Sequence, residues 1–331
     1  MAEDRLAAGI TGLGIHLPAR VLTNLDLERM VDTSDAWILE RTGIKERRIA
    51  APEESTSDLA TGAAREALNA AGLSPENVEL IIVATATPDM LFPATACLVQ
   101  DRLGAGRAAA FDLEAGCSGF VYGLAVGAQF ITSGCFRNIL VIGAETLSKV
   151  TNWQDRSTCV LLGDGAGAAV LQPVGPPRGI LSVYLRADGS GGELLKVPAG
   201  GARLPASTET VRAGLHYLTM NGREIFKFAV RSMEEAAVEA LRRAGINQRE
   251  VDCFITHQAN IRIIDALAKR LGFSPDKVIV NVDRYGNTSA ASIPIALYEA
   301  LVSGKIKPGE SLVLLVAFGA GLTWGAVLLR Y

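Results

Sequence analysis

Ala71-Gly-Leu-Ser-Pro-Glu-Asn-Val-Glu-Leu-Ile-Ile-Val83 joins a helix end to an apolar strand through a charged connector, and the phrase returns at Ala244-Gly-Ile-Asn-Gln-Arg-Glu-Val-Asp-Cys-Phe-Ile-Thr256. The helix-like runs before them, Leu59 to Ala71 and Ser232 to Ala244, each stop at a glycine, Gly72 and Gly245, 173 residues apart. Working outward, Arg102-Leu-Gly104 recurs 168 residues on as Arg270-Leu-Gly272, and the β-rich Ala108 to Leu113 has a counterpart in Val278 to Val282. Gly116-Cys117-Ser118 then matches Gly286-Asn287-Thr288 at an offset of 170. Asn138 to Gly143 matches Ser311 to Val316, and Gly165 to Val170 matches Gly319-Ala-Gly321 with the strand that follows it. Matches in one order at nearly one offset indicate an internal duplication of about 170 residues. That unit is too long for a solenoid repeat, and its alternating strands and helices predict two similar α/β halves packed face to face. Prolines in Gln172-Pro-Val-Gly-Pro-Pro-Arg178 place the boundary there, giving halves 1–174 and 175–331. The Gly-, Ala- and Pro-rich stretch Asp188 to Leu215 reads as an inserted surface loop.

Composition narrows the function classes. The 331 residues carry 32 Lys+Arg against 35 Asp+Glu, a net charge of -3, and are 49% apolar. Neither a disordered chain nor a basic nucleic-acid binder fits those figures. Five cysteines at positions 97, 117, 135, 159 and 253 have no metal-ligand or CxxC spacing, so free thiols and no metal are expected. Met1-Ala-Glu-Asp-Arg5 lacks the basic and apolar segments of a secretory leader, which points to a cytoplasmic protein. Two uncharged windows, Ala115 to Phe136 and Leu312 to Leu329, are long enough to test for membrane spans. Polar Ser118, Gln129, Thr132 and Ser133 interrupt the first, and Gly319, Gly321 and Gly325 interrupt the second. The first is expected as a buried helix and the second as two buried strands around a glycine turn, with no membrane involved.

The duplication has a chemical consequence, because it puts Cys117 and Asn287 at equivalent positions, each opening a buried helix. Glycines at 116 and 119 flank Cys117 and let a substrate approach the sulfur, and a helix start is expected to favour its thiolate. Cys97, Cys135, Cys159 and Cys253 have no such frame and read as structural. Of three histidines, His16 and His216 lie in loops, whereas His257 ends the apolar run Val251 to Ile255 and points to acid–base or hydrogen-bonding chemistry. Asn287 alone would be a helix cap; its match to Cys117 suggests a catalytic place. Trp37 and Arg41 are four apart on one helix face, which suits either a clamp for an aromatic base or an amphipathic surface helix. Gly163-Asp-Gly-Ala-Gly167 lacks the P-loop ending and reads as close packing, while the N–H groups of Gly319-Ala320-Gly321 can help hold an oxyanion. Arg262, Lys269 and Arg270 share a helix face, either solvated or suited to an acidic partner.

Six motifs carry a resemblance. They are Asp32-Thr-Ser-Asp-Ala-Trp-Ile38 with Arg41-Thr-Gly-Ile44, Ala115-Gly-Cys-Ser-Gly-Phe120, Leu162-Gly-Asp-Gly-Ala-Gly-Ala168, His257-Gln-Ala-Asn-Ile-Arg262, Tyr285-Gly-Asn-Thr-Ser-Ala-Ala-Ser292 and Ala317-Phe-Gly-Ala-Gly-Leu-Thr-Trp-Gly325. Across the whole chain the sequence resembles the thiolase-fold condensing enzymes and, within them, β-ketoacyl-acyl-carrier-protein synthase III. The resemblance implies a thiolase-like α/β fold, two duplicated halves forming a layered α-β-α-β-α core, in a homodimer. It implies acyl transfer from a short acyl-coenzyme A to Cys117 and decarboxylative condensation with malonyl-acyl carrier protein, without a cofactor. By position it implies His257 and Asn287 as donors to the malonyl thioester, and the N–H groups of Cys117 and Ala320 as the oxyanion hole. Trp37, Arg41, Thr42, Arg156, Gly222 and Asn260 would line the coenzyme A path. Gln258, Ala259, Asn260, Ile261 and Arg262 would dock the carrier protein, and Phe92 would cross the dimer interface to limit acyl length. Arg223 and Ala320 depart from residues common in the family, Asn and Gly. The other readings are a polyketide synthase using malonyl-coenzyme A, a Cys-His-Asn hydrolase, and a non-catalytic acyl-coenzyme A binding protein. Elongating ketoacyl synthases use a second histidine where Asn287 stands.

Overall fold

Leu80–Ala84 is apolar at every position because both its faces are covered: Leu80 and Ile82 join a central cluster, and Ile81 and Val83 an outer one. The same two-sided burial recurs in Leu312–Gly319, where Val313, Leu315 and Ala317 face the centre and Leu314, Val316 and Phe318 face outward. These strands lie at the heart of two sheets in a computed structural model that describes residues 7–331. Met1-Ala-Glu-Asp-Arg5, on which the leader argument rests, lies outside the described residues.

The first sheet runs Ala7–His16, Asp164–Val174, Ile139–Thr146, Leu80–Ala84, Ala109–Leu113, with Leu80–Ala84 parallel to both its neighbours. The second runs Cys253–Thr256, Leu312–Gly319, Thr323–Arg330, Gly179–Ala187, with only its first pair parallel. Helices Gly119–Thr132 and Ser292–Val302 fill the space between the sheets, contributing Phe120, Leu124, Ile131, Ile293 and Leu297 to the central cluster. Thr56–Ala71 and Thr95–Leu103 cover the first sheet, and Gly222–Ala244 and Ile261–Leu271 cover the second. The result is the α-β-α-β-α layering. At about 1.5–3 kcal/mol for each large apolar side chain fully buried, these clusters are the main source of stability. The first uncharged window is the central helix Gly119–Thr132, and the second is the pair Leu312–Gly319 and Thr323–Arg330. Among the described residues no helix is long and apolar enough to cross a membrane.

Three expectations change. Val278 to Val282 is not a strand, only a single bridge between Phe254 and Val278. The Gln258 side chain takes the place of a neighbouring strand, donating to Ile279 O at 3.1 Å and accepting from Asn281 N at 2.9 Å. The helix expected from Ser232 starts at Gly222, because Asn221 caps it by accepting from Glu224 N. The stretch Asp188 to Leu215 is more than surface loop. It holds the 3-10 turn Gly189–Leu194, the strand Leu195–Lys196 paired with Thr219–Met220, and the helix Thr208–Arg212. Leu195 and Met220 turn inward and line the site described next.

Candidate active site

Cys117 sits in the 3-10 turn Gly116–Ser118, where the chain leaves strand Ala109–Leu113 and enters Gly119–Thr132. Asn287 stands just before the turn Ser289–Ala291 that opens Ser292–Val302. Both residues follow a glycine in the left-handed region, Gly116 at φ 50° and Gly286 at φ 63°, and the two turns pack on each other. His257 leaves the end of Cys253–Thr256 with its N–H donated to Val316 O at 2.8 Å. All three side chains line one cavity of about 320 Å³, whose outer part is formed by Trp37, Arg41 and Asn260. A second, smaller cavity of about 80 Å³ adjoins Cys117 and is lined largely by apolar side chains such as Leu147, Leu162 and Leu218.

Backbone contact sets the oxyanion geometry. A Cβ on Gly319 would sit 2.4 Å from Cys117 N, and one on Gly116 would sit 2.7 Å from Ala320 N. The two glycines thus bring the Cys117 and Ala320 turns into direct contact. Among the described residues neither N–H donates to a backbone carbonyl. Asn287 is oriented by its own turn: Oδ1 accepts from Ser289 N at 2.8 Å, which leaves the Nδ2 hydrogens for the cavity.

Burial controls the charges here. It pushes the Cys117 thiol up to about 12, a shift that the Ser289 hydrogen bond opposes and the charges of Glu145 and Glu114 reinforce. The thiolate expected from the helix start is therefore not the resting form; loss of hydration outweighs the helix end. Burial also lowers His257 to about 4, so its imidazole is neutral at pH 7. Glu145 was not foreseen. It is fully buried, raised to about 7 by desolvation against hydrogen bonds from Thr87, Ser289, Ala86 N and Thr85. The signal was a carboxylate ending the apolar run Ile139 to Ala144.

These two buried groups bias stability in opposite directions. With its pKa raised, Glu145 contributes fully below its ordinary 4.5, and that contribution is lost as pH rises through about 7. With its pKa depressed, His257 contributes fully above its ordinary 6.5, and that contribution is lost as pH falls through about 4. Each changes by about 2 kcal/mol between pH 4.5 and 6.5, and the two nearly cancel. Relative to the unmodified protein, His257→Ala should therefore lose stability as pH rises across this window, and Glu145→Gln should gain it. Urea titrations at the two pH values read the slopes; slopes of the same sign would contradict this account.

At the outer end, Arg156 lies 5.0 Å and Arg41 5.8 Å from the half-buried Trp37 ring. Arg156 also donates to Asp32 O at 2.7 Å. Thr42 lines the cavity, but its hydroxyl is engaged within its own helix end, with Ile38 O and Ile44 N. Gly222 lines the wall at the start of its helix. Asn260 caps Ile261–Leu271 and donates to Arg41 O at 3.0 Å, tying the two helices of the entrance together.

Of the expected docking residues, one is corrected. Gln258 is only 1% exposed and its amide is bonded internally, so it supports the segment from beneath and presents nothing to a docking protein. Ala259 lines the cavity, Ile261 packs over Gly43, and Arg262 is exposed. Arg270 is exposed but paired with Glu234 at 2.6 Å, and among the described residues Arg262 and Lys269 are the exposed cations of that face with no ion-pair partner. Phe92 lines neither cavity and is 82% exposed beside exposed Leu91 and Met90. Arg223 is exposed; His16 is exposed and ends the strand Ala7–His16 instead of lying in a loop; His216 packs against the Tyr217 ring at a tilt of 43°; neither histidine lines the cavity. Gly163 and Gly167 abut Tyr285 O and Pro294, in keeping with close packing.

Residues 111–189 match the 3-oxoacyl-[acyl-carrier-protein (ACP)] synthase III family, and residues 241–331 match the C-terminal family of the same synthases. A protein of Symbiobacterium thermophilum named β-ketoacyl-[acyl-carrier-protein] synthase III is 62% identical over 323 residues, 98% of each chain. The crystal structure of 3-oxoacyl-[acyl-carrier-protein] synthase III from Aquifex aeolicus superposes with a TM-score of 0.91 at 55% identity, covering 98% of this chain and 100% of that one. A priming β-ketosynthase from a polyketide biosynthetic pathway gives a TM-score of 0.91 at 36% identity, covering 99% and 98%.

Proposed function

Because this chain belongs to the 3-oxoacyl-[acyl-carrier-protein] synthase III family, we propose that it takes a short acyl group from acyl-coenzyme A onto Cys117 and condenses it with malonyl-acyl carrier protein to start fatty acid synthesis. The observation that carries this reading is the convergence of Cys117, His257 and Asn287 on one cavity whose outer part is formed by Trp37 and Arg41.

In the first half-reaction Cys117 sulfur attacks the thioester carbonyl, losing its proton as the bond forms, and coenzyme A leaves as its thiol. The N–H groups of Cys117 and Ala320 hold the oxyanion. In the second, His257 and Asn287 donate to the malonyl thioester oxygen and stabilise the enolate left by CO2 loss. That carbanion attacks the acyl-cysteine, and the Cys117 sulfur leaves and is reprotonated. The steps use neither metal nor redox cofactor. The Trp37 indole, flanked by Arg41 and Arg156, clamps the adenine, while Thr42, Gly222 and Asn260 line the arm's path. Exposed Arg262 and Lys269 offer the acidic carrier protein a cationic face. The small cavity beside Cys117 suits a short primer such as acetyl. The chain works in the cytoplasm as a homodimer, with Met90-Leu91-Phe92 covered by the partner and Phe92 reaching its acyl pocket. Residues 1–174 and 175–331 act as two halves of one core.

Incubation with acetyl-coenzyme A should add one acetyl group, located on Cys117 by intact mass and peptide mapping. Unmodified Cys117 across short acyl-coenzyme A primers would overturn the reading, and rapid release of free acid would make the protein a hydrolase. The likeness to a polyketide priming ketosynthase favours one second reading. Malonyl units offered separately on carrier protein and on coenzyme A separate the synthase from a polyketide-type enzyme that extends with malonyl-coenzyme A.

A further inference from the structure

His257 has two ring nitrogens, and the structure shows what holds the inner one. Nδ1 lies 2.7 Å from Oγ of Ser292, the first residue of helix Ser292–Val302. The same oxygen accepts from Gln258 N at 3.3 Å. Ser292, His257 and Gln258 are 2%, 4% and 1% exposed, so bulk water does not compete for these contacts. With Gln258 N–H directed at the oxygen, the Ser292 hydroxyl hydrogen has, among the described residues, one acceptor within hydrogen-bonding distance, His257 Nδ1. A neutral imidazole carries a single ring hydrogen, which then sits on Nε2.

We propose that Ser292 is a positioning residue that fixes His257 in the Nε2–H form, making the imidazole a hydrogen-bond donor toward the cavity and not an acceptor for the Cys117 proton. The inference rests on the proposed condensation, in which His257 serves the malonyl thioester oxygen. It also explains how both donors are set by one short segment. Ser289 N–H holds Asn287 Oδ1 so that Nδ2 donates, and Ser292 O–H holds His257 Nδ1 so that Nε2 donates. The segment Ser289-Ala-Ala-Ser292 presets two donors for one developing oxyanion before substrate arrives.

The chain's three histidines make the test direct. In full-length protein labelled with ¹⁵N-histidine, long-range ¹H–¹⁵N spectra at pH 7 should show His257 with a protonated Nε2 and an unprotonated Nδ1. Ser292→Ala should shift His257 toward a mixture of tautomers and slow malonyl decarboxylation by about 10- to 100-fold. Acetylation of Cys117 should change by less than about 2-fold, since the oxyanion N–H groups are untouched. Ser292→Thr, which keeps a hydroxyl, should restore both the spectrum and decarboxylation. A protonated Nδ1 in the unmodified protein would overturn the proposal. So would a Ser292→Ala protein with unchanged tautomer and decarboxylation, or one losing acetylation as severely as decarboxylation. If Ser292→Ala does not fold, the unmodified spectrum alone decides. The spectrum requires no turnover, so a protein that failed to acetylate would refute the proposed reaction while the tautomer result still stood.

Discussion

Asn287→Ala should still acetylate Cys117 from acetyl-coenzyme A, while decarboxylation of malonyl-acyl carrier protein falls by about 10²–10³-fold. The split follows from where the amide points. Its Oδ1 is occupied by Ser289 N, so only the Nδ2 hydrogens are offered to the cavity. They have no task during acylation, whose oxyanion faces the backbone of Cys117 and Ala320. During decarboxylation they meet a growing negative charge in a desolvated site, where removing one donor costs about 3–4 kcal/mol of transition-state stabilisation. Single-turnover acetylation by mass, set beside CO2 release from labelled malonyl-acyl carrier protein, measures the two steps. Equal loss of both would show that Asn287 holds the Cys117 turn rather than the substrate.

Gly319→Ala should damage both steps. Its added Cβ would meet Cys117 N at 2.4 Å and Ser118 N at 2.9 Å, both backbone atoms that cannot rotate aside. Relief requires the nucleophile's turn to move away from Ala320, which separates the two oxyanion N–H groups. Acetylation should fall by about 10²-fold or more, and the overpacking should destabilise the fold by about 1–3 kcal/mol. Gly106→Ala is the control, since nothing lies within 4 Å of the Cβ it would add. A Gly319→Ala protein that acetylates at the unmodified rate would break the link between these turns and the oxyanion hole.

The layered fold was legible because strands covered on both faces must be apolar throughout, and two such runs recur at one offset. Leu80–Ala84 with Cys253–Thr256, and Ile139–Thr146 with Leu312–Gly319, therefore announced themselves. The strand expected at Val278 to Val282 carried the same apolar signal, yet after one backbone bond from Ile279 N to Phe254 O the pairing passes to the Gln258 side chain, which engages Ile279 O and Asn281 N, a choice no local pattern reveals. The same amide explains why Gln258 is buried although its neighbours form the entrance. Cys117, His257 and Asn287 could be singled out from local frames and the repeat. The protonation of Cys117 could not, because a helix start is a local feature and desolvation is a tertiary one. Glu145 was hidden for a similar reason: Thr85 and Thr87 from one distant segment and Ser289 from another make its burial tolerable.

The matched turns at Gly116-Cys117 and Gly286-Asn287 bear on how such a site could arise. In a symmetric pair of half-length chains, the interface is isologous, so whatever residue occupies the turn appears twice. Two thiols would face each other, or two amides. Once the two copies are encoded separately, as they are along one polypeptide, one can become the nucleophile and the other a donor. Joining the halves end to end is thus a chemical event as much as a structural one: it breaks the symmetry that would otherwise forbid a division of labour across the seam.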